Sequence, residues 1–257
     1  MLSIIPIPAF KDNYIWLLIN NKNQHAIIAD PGDATPVIKQ LETMGLILSA
    51  ILITHHHADH CGGLDILTRQ FSIPVYGPEA ENIIHVNQPV REGNTVTIPH
   101  CDISFSVLDI PGHTRGHIAY YSPGMVFCGD TLFTAGCGRL FEGTAEQMYH
   151  SLSKLCQYPD DTLIYCGHEY TSANLQFAQA VEPTNNDILE RIKATNSLRL
   201  QGLPSVPAPL ALEKRTNPFL RCQVKEVIEA AEKQAGNSLN NPVSVFSTLR
   251  NWKNSFQ

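Results

Sequence analysis

Apolar and polar positions over the first two thirds of the chain fall into short runs broken by turn residues, the pattern of a strand-rich region. The runs predict strands over Tyr14–Ile19, Ala26–Ala29, Ser49–Ile53, Pro74–Tyr76, Thr95–Ile98, Ile103–Ile110, Ile118–Tyr121 and Met125–Cys128. Ile103–Ile110 alternates cleanly, with Ile103, Phe105, Val107 and Asp109 on one face. Helical signals intervene. Thr35–Met44 has Pro36 in its first turn and Gly45 as its stop. Thr144-Ala145-Glu146-Gln147 reads as a capping box opening a helix toward Leu155. Beyond Tyr170 the strand signal fades. Asp187–Leu200 places Ile188, Ile192, Thr195 and Arg199 at helical intervals, and Gln223–Ala235 reads similarly. Asn241-Pro242 opens a last helix with Val245, Phe246, Leu249, Trp252 and Phe256 on one face. The three prolines of Leu203–Pro209 demand extended chain there. Strands followed by helices predict an α+β protein.

Composition narrows the class. A chain of 257 residues with 43% hydrophobic content can bury a sizeable core and divide into two domains. Its formal net charge of -6 argues against nonspecific nucleic-acid binding. No apolar run approaches membrane-spanning length. The start, Met1 to Pro6, has no basic segment and is interrupted by Pro6 and Pro8, so it does not read as a secretory signal. The 7 cysteines lack a disulfide-framework spacing, which suits a reducing cytoplasm.

The chemistry is concentrated at strand ends. Ala50–Thr54 runs into His55-His56-His57-Ala58-Asp59-His60. His and Asp are costly to bury unless paired or metal-bound, so this crowding points to metal. His55 and His57 lie at i and i+2 on an extended stretch and point the same way. Asp59 and His60 follow the turn and face a second metal. Three later segments repeat the grammar of apolar strand, glycine and ligand: Gly112-His113, Gly129-Asp130 and Gly167-His168. Imidazole and carboxylate suit zinc, and also iron or manganese. His25, His85, His100 and His150 lie outside every such motif and read as surface or packing residues. Cys128, Cys137 and Cys166 adjoin motif residues and read as structural.

The set Thr54-His55-x-His57-x-Asp59-His60, Gly112-His113-Thr114, Gly129-Asp130 and Gly167-His168 resembles the metallo-β-lactamase superfamily. Phe127 to Phe133, Gly136 to Arg139, Glu142-Gly143-Thr144 and Cys166 to Tyr170 resemble the glyoxalase II (hydroxyacylglutathione hydrolase) family within it, as does Asp12-Asn13-Tyr14. The resemblance spans essentially the whole chain. It implies an αββα sandwich of two sheets flanked by helices, with a catalytic domain over residues 1–168 and a smaller helical substrate-binding domain over 169–257. It implies two divalent metal ions, with zinc favoured over iron or manganese. His55, His57 and His113 would hold one ion, Asp59, His60 and His168 the other, and Asp130 would bridge both. His56 and His117 fall outside the ligand set.

The implied reaction is hydrolysis of the thioester S-D-lactoylglutathione to glutathione and D-lactate, the second step of methylglyoxal detoxification. A hydroxide bridging the metals attacks the carbonyl, and Asp59 orients it. The thiolate leaving group requires no dedicated acid. Arg139, Phe141, Tyr170, Arg250 and Lys253 would contact the glutathione moiety. Phe141 stands where some members carry Tyr, and a Phe offers no phenolic hydrogen bond. Arg250 and Lys253 lie at i and i+3, and on the residues alone they read as a solvated helix face. The expected enzyme is a monomer with no membrane or nucleic-acid partner. A dizinc β-lactamase would need Cys where Asp130 stands, and no Gly-x-Ser-x-Gly elbow supports a serine hydrolase. A mononuclear-iron sulfur dioxygenase, a lactonase and an RNA-binding module are the remaining alternatives.

Overall fold

A computed structural model describes residues 2–256. The chain forms two compact units. The first runs to Asp109 and resumes over Thr114–Gly129; the second comprises Ile110–His113 and the chain from Asp130 onward.

The first unit opens with β1 (Leu2–Ala9), β2 (Asn13–Asn20) and β3 (His25–Ala29), followed by α1 (Ala34–Met44) and β4 (Ile47–Leu52). Two short helices, α2 (Ala58–Cys61) and α3 (Leu64–Gln70), precede β5 (Val75–Pro78) and β6 (Gln88–Val90). These six strands make one sheet in sequence order. Pairing is antiparallel through β1, β2 and β3, and parallel from β3 to β6. Every residue of β2 is buried, and between Asn13 and Asn20 it reads as an unbroken apolar run. Ile15, Leu17 and Ile28 pack with Val37 and Leu41 of α1 in the core of this unit. Asp33 caps α1 by accepting from the Thr35 amide, and Gly45 closes it at φ 64°.

The first unit ends with β7 (Thr95–Ile98), β8 (Ile103–Asp109), β9 (Ile118–Ser122) and β10 (Met125–Gly129), paired antiparallel in that order. On β8, Phe105 and Val107 are buried and Ser104 and Ser106 exposed, the alternation expected of a half-covered strand.

β1 does not stand out in the sequence because Pro6 and Pro8 interrupt it. It is an edge strand, and positions two apart share an orientation, so both prolines turn their nitrogens the same way. The opposite edge strand, β6, carries Pro89.

The second unit holds a hairpin of β11 (Leu132–Phe133) and β12 (Gly136–Cys137), then α4 (Ala145–Leu155), β13 (Leu163–Cys166), α5 (Thr171–Val181) and α6 (Asn186–Leu200). It continues with β14 (Ala208–Pro209), α7 (Leu210–Thr216), α8 (Lys225–Ala235) and α9 (Pro242–Ser255). β14 pairs with β13. Both sides of the Thr144–Gln147 capping box form, and a second joins Asn241 and Ser244 at the start of α9. Val245, Phe246 and Leu249 of α9 are buried, but so is Arg250. α3, α5 and α7 have no counterpart among the elements expected from periodicity.

Candidate metal centre and substrate cleft

The parallel pairing of β3 and β4 brings their C-terminal ends together, and the Asp30 amide donates to Leu52 O at 2.9 Å. Asp30 is buried and left-handed at φ 52°, a conformation Asp tolerates better than most residues. Its carboxylate organises the histidine loop. Oδ1 accepts the Thr54 amide at 2.8 Å, and Oδ2 accepts the Thr54 hydroxyl at 2.7 Å. Oδ2 also lies 3.1 Å from His60 Nδ1.

These contacts settle the histidine tautomers. A carboxylate only accepts, so His60 carries its proton on Nδ1. Thr54 has given its single hydroxyl proton to Asp30, so His55 Nδ1, 3.0 Å from Thr54 Oγ1, is also a donor. In the neutral form of each ring the lone pair therefore sits on Nε2. His55 Nε2 lies 3.2 Å from His57 Nδ1, and His60 Nε2 lies 3.6 Å from Asp59 Oδ2. Asn13 Nδ2 donates to that Asp59 oxygen at 2.9 Å. His117 stacks on His55 with ring centroids 4.5 Å apart, and His56 pairs with Glu81 at 2.9 Å. Both contacts brace the histidine loop.

The second unit carries the other three expected ligands. His113 Nδ1 lies 2.9 Å from Arg139 O, a carbonyl, which again leaves the lone pair on Nε2. His113 Nε2 and His168 Nε2 each lie 3.4 Å from Asp130 Oδ2. All three residues are buried. His168 stacks on Tyr170 at 4.6 Å and meets the edge of Phe133 at 5.9 Å.

The donor chemistry fits metal. Two ligands bonded at about 2.0–2.1 Å in a tetrahedron lie about 3.3–3.4 Å apart. The separations within each unit scatter around that figure. A hydrogen bond of 3.4 Å or more between nitrogen and a carboxylate would be poor, whereas orienting carbonyl and carboxylate partners on the far ring nitrogens are what metal-ligating histidines need.

Beside His113 and Asp130 opens a cleft of about 510 Å³, entirely within the second unit. Arg139, Phe141, Tyr170, Arg250 and Lys253 all line it. Asp130 is the one acidic residue among its lining. The solvated-face reading of Arg250 does not hold: it is 5% exposed, because Nη1 donates to Cys137 O at 2.7 Å and the guanidinium lies over Phe219 at 5.1 Å. Lys253 is half-buried, and its Nζ donates to Ala173 O at 2.8 Å. Desolvation, with Arg250 and Arg139 nearby, pulls its pKa from 10.5 to about 8. Phe141 is 62% exposed, its ring edge toward His113 at 5.3 Å. Burial pushes the Cys137 thiol up despite Arg250, so this cysteine is a packed neutral group.

Sequence reasoning missed Asp30 and gave Asn13 no role. Asp30 had one signal, a carboxylate closing a fully apolar strand just before Pro31-Gly32.

A strand-borne cluster of histidines and carboxylates on mixed α/β layers defines a class of metal-dependent hydrolases. Residues 11–168 match the model of the metallo-β-lactamase superfamily, and 169–256 match the hydroxyacylglutathione hydrolase C-terminus. The chain is 51% identical to a hydroxyacylglutathione hydrolase of Nitrosomonas eutropha, with 100% of both chains covered. Among solved structures it resembles the BLEG-1 B3 metallo-β-lactamase, with TM-score 0.64 and 25% identity over 86% of this chain and 99% of that one. It also resembles TTHA1623 in a di-iron-bound form, with TM-score 0.60 and 26% identity over 84% of this chain and 100% of that one. The chain belongs to the hydroxyacylglutathione hydrolase family of the metallo-β-lactamase superfamily, and it has that fold with the family's helical C-terminal region.

Proposed function

We propose that this protein hydrolyses S-D-lactoylglutathione and related 2-hydroxyacylglutathiones to glutathione and the free hydroxy acid. Residues 1–168 act as the catalytic domain and 169–257 as the substrate-binding domain. His55, His57 and His113 would hold one divalent ion, Asp59, His60 and His168 would hold a second, and Asp130 would be shared between them. Zinc is the favoured metal on ligand type. When bound, the two ions polarise the thioester carbonyl and lower the pKa of water toward neutrality.

The observation that carries this reading is the cationic cleft. Arg139, Arg250 and Lys253 line one cavity with His113 and Asp130, which suits an anionic peptide joined to a scissile acyl group. The three cations bind the peptide carboxylates and Tyr170 offers a phenolic hydrogen bond. Asp59, steadied by Asn13, orients the attacking water. A glutathione thiol has a pKa near that of free cysteine, about 8.5, so it departs as thiolate without a dedicated acid. The buried neutral Cys137 takes no covalent part. The described cysteines are all free thiols, which supports a reducing, cytoplasmic setting.

The test is metal analysis of the purified protein together with hydrolysis of S-D-lactoylglutathione. Two equivalents of metal and turnover that chelation abolishes are expected. A single equivalent of iron with oxygen consumption would point instead to a dioxygenase.

A further inference from the structure

The β11–β12 hairpin is too short to hold itself. Only Leu132 with Cys137 and Phe133 with Gly136 pair across it, and isolated two-stranded hairpins are marginal even when longer. Its tip carries Ala135 at φ 55°, a left-handed backbone that alanine disfavours. Side chains from two helices fix that tip. Glu213 Oε2 accepts the Ala135 amide at 2.8 Å. Asn217 Nδ2 donates to Phe133 O at 3.2 Å and Gly136 O at 2.9 Å, and to Glu213 Oε2 at 3.1 Å. Asn174 Nδ2 donates to Thr134 O at 3.1 Å. Glu213 is in turn paired with Arg191, which also donates to Thr216. Glu213, Thr216 and Asn217 are each 0% exposed. Desolvating this many polar groups is costly, and the hydrogen bonds among them offset that cost.

What the hairpin carries explains the investment. Asp130 lies two residues before it and Arg139 two residues after it. The Gly138 amide donates to Thr131 O at 3.2 Å, and a side chain on Gly138 would collide with the Asp130 carbonyl oxygen. The two ends are thus drawn together, so displacing the tip moves both.

We infer that Asn217 and Glu213 are positioning residues that set Asp130 and Arg139 by clamping the β11–β12 tip. The inference rests on the ligand role proposed for Asp130. Neither residue touches substrate or metal. Their effect passes through backbone groups, and the left-handed Ala135 is the point where the clamp does its holding.

The experiment compares zinc affinity, by competition with a chromophoric chelator, in the full-length wild type, Asn217→Ala and the double variant Asn217→Ala/Ala135→Gly. Asn217→Ala should lower zinc affinity by about 10–100-fold, the scale for partners that orient ligands. The double variant should recover part of that loss, because glycine adopts φ 55° without strain. If Asn217→Ala does not fold, Glu213→Gln decides the question, since it keeps side-chain shape and one acceptor oxygen. A folded variant with a lowered melting temperature but wild-type zinc affinity and kcat would reduce the network to fold stability alone and overturn the inference. Should wild type bind zinc yet leave S-D-lactoylglutathione intact, the catalytic reading fails while the zinc measurements still judge the clamp.

Discussion

Lys253 is the cleft cation whose charge is most easily tested. It sits half-buried beside two arginines, which holds its pKa near 8. An anionic ligand favours its charged form, so binding above that pH takes up a proton. KM for S-D-lactoylglutathione should therefore rise above about pH 8 while kcat changes less, and Lys253→Arg should flatten the rise. In the absence of ligand the sign reverses. A folded pKa below the unfolded one means the unfolded chain binds more protons between about 8 and 10.5, so this residue's contribution to stability improves as pH rises through that window. Lys253→Ala should raise KM about tenfold, the low end for a charge-assisted contact, because the site is partly wet. Arg250→Ala should also destabilise the fold, because it strips Cys137 O of its donor and Phe219 of its cation. Beneath the histidine loop, Asp30→Asn removes an acceptor shared by Thr54 and His60 and should weaken metal binding about 10–100-fold, read by chelator competition. Asp30 shows what sequence reading misses at this scale. The ligands advertise themselves by type and spacing, but the group that turns their rings is one carboxylate contributed by a neighbouring parallel strand.

Elements whose signals are local were legible. Thr144 and Gln147 satisfy each other across one helical turn, so the start of α4 is written within four consecutive residues. Thr144→Ala should cost about 1 kcal/mol and lower the melting temperature by about 2–4 °C, with metal content unchanged. Asn241 and Pro242 announced α9 equally well. The illegible elements depend on distant partners. β1 exists because β2 supplies its hydrogen bonds, and its prolines argue against a strand until it is known to lie at an edge. α5 starts at Thr171 without a side-chain cap and with no acidic residue in its first turn, so neither start signal was available to read. The β11–β12 hairpin is the extreme case, because its shape is imposed by α5 and α7.

At the scale of the whole molecule, five of the proposed metal ligands, His55, His60, His113, Asp130 and His168, are buried polar groups that a bound ion would match. Metal should then contribute to global stability as well as to turnover. Free zinc at a hundred times its dissociation constant stabilises a protein by about 2.7 kcal/mol per site. Chelation should accordingly lower the melting temperature by several degrees, and zinc should restore it; a melt indifferent to chelator would count against the ligand assignment. The prolines of the outer strands have a consequence of a different kind, for the company this protein keeps. An outer strand normally offers a row of amides on which a stranger's strand can grow. β1 withholds two of those amides at Pro6 and Pro8, and β6 withholds another at Pro89. Both edges of that sheet are thereby made poor templates for another copy, and replacing the three prolines should make a crowded solution of the protein more prone to fibres.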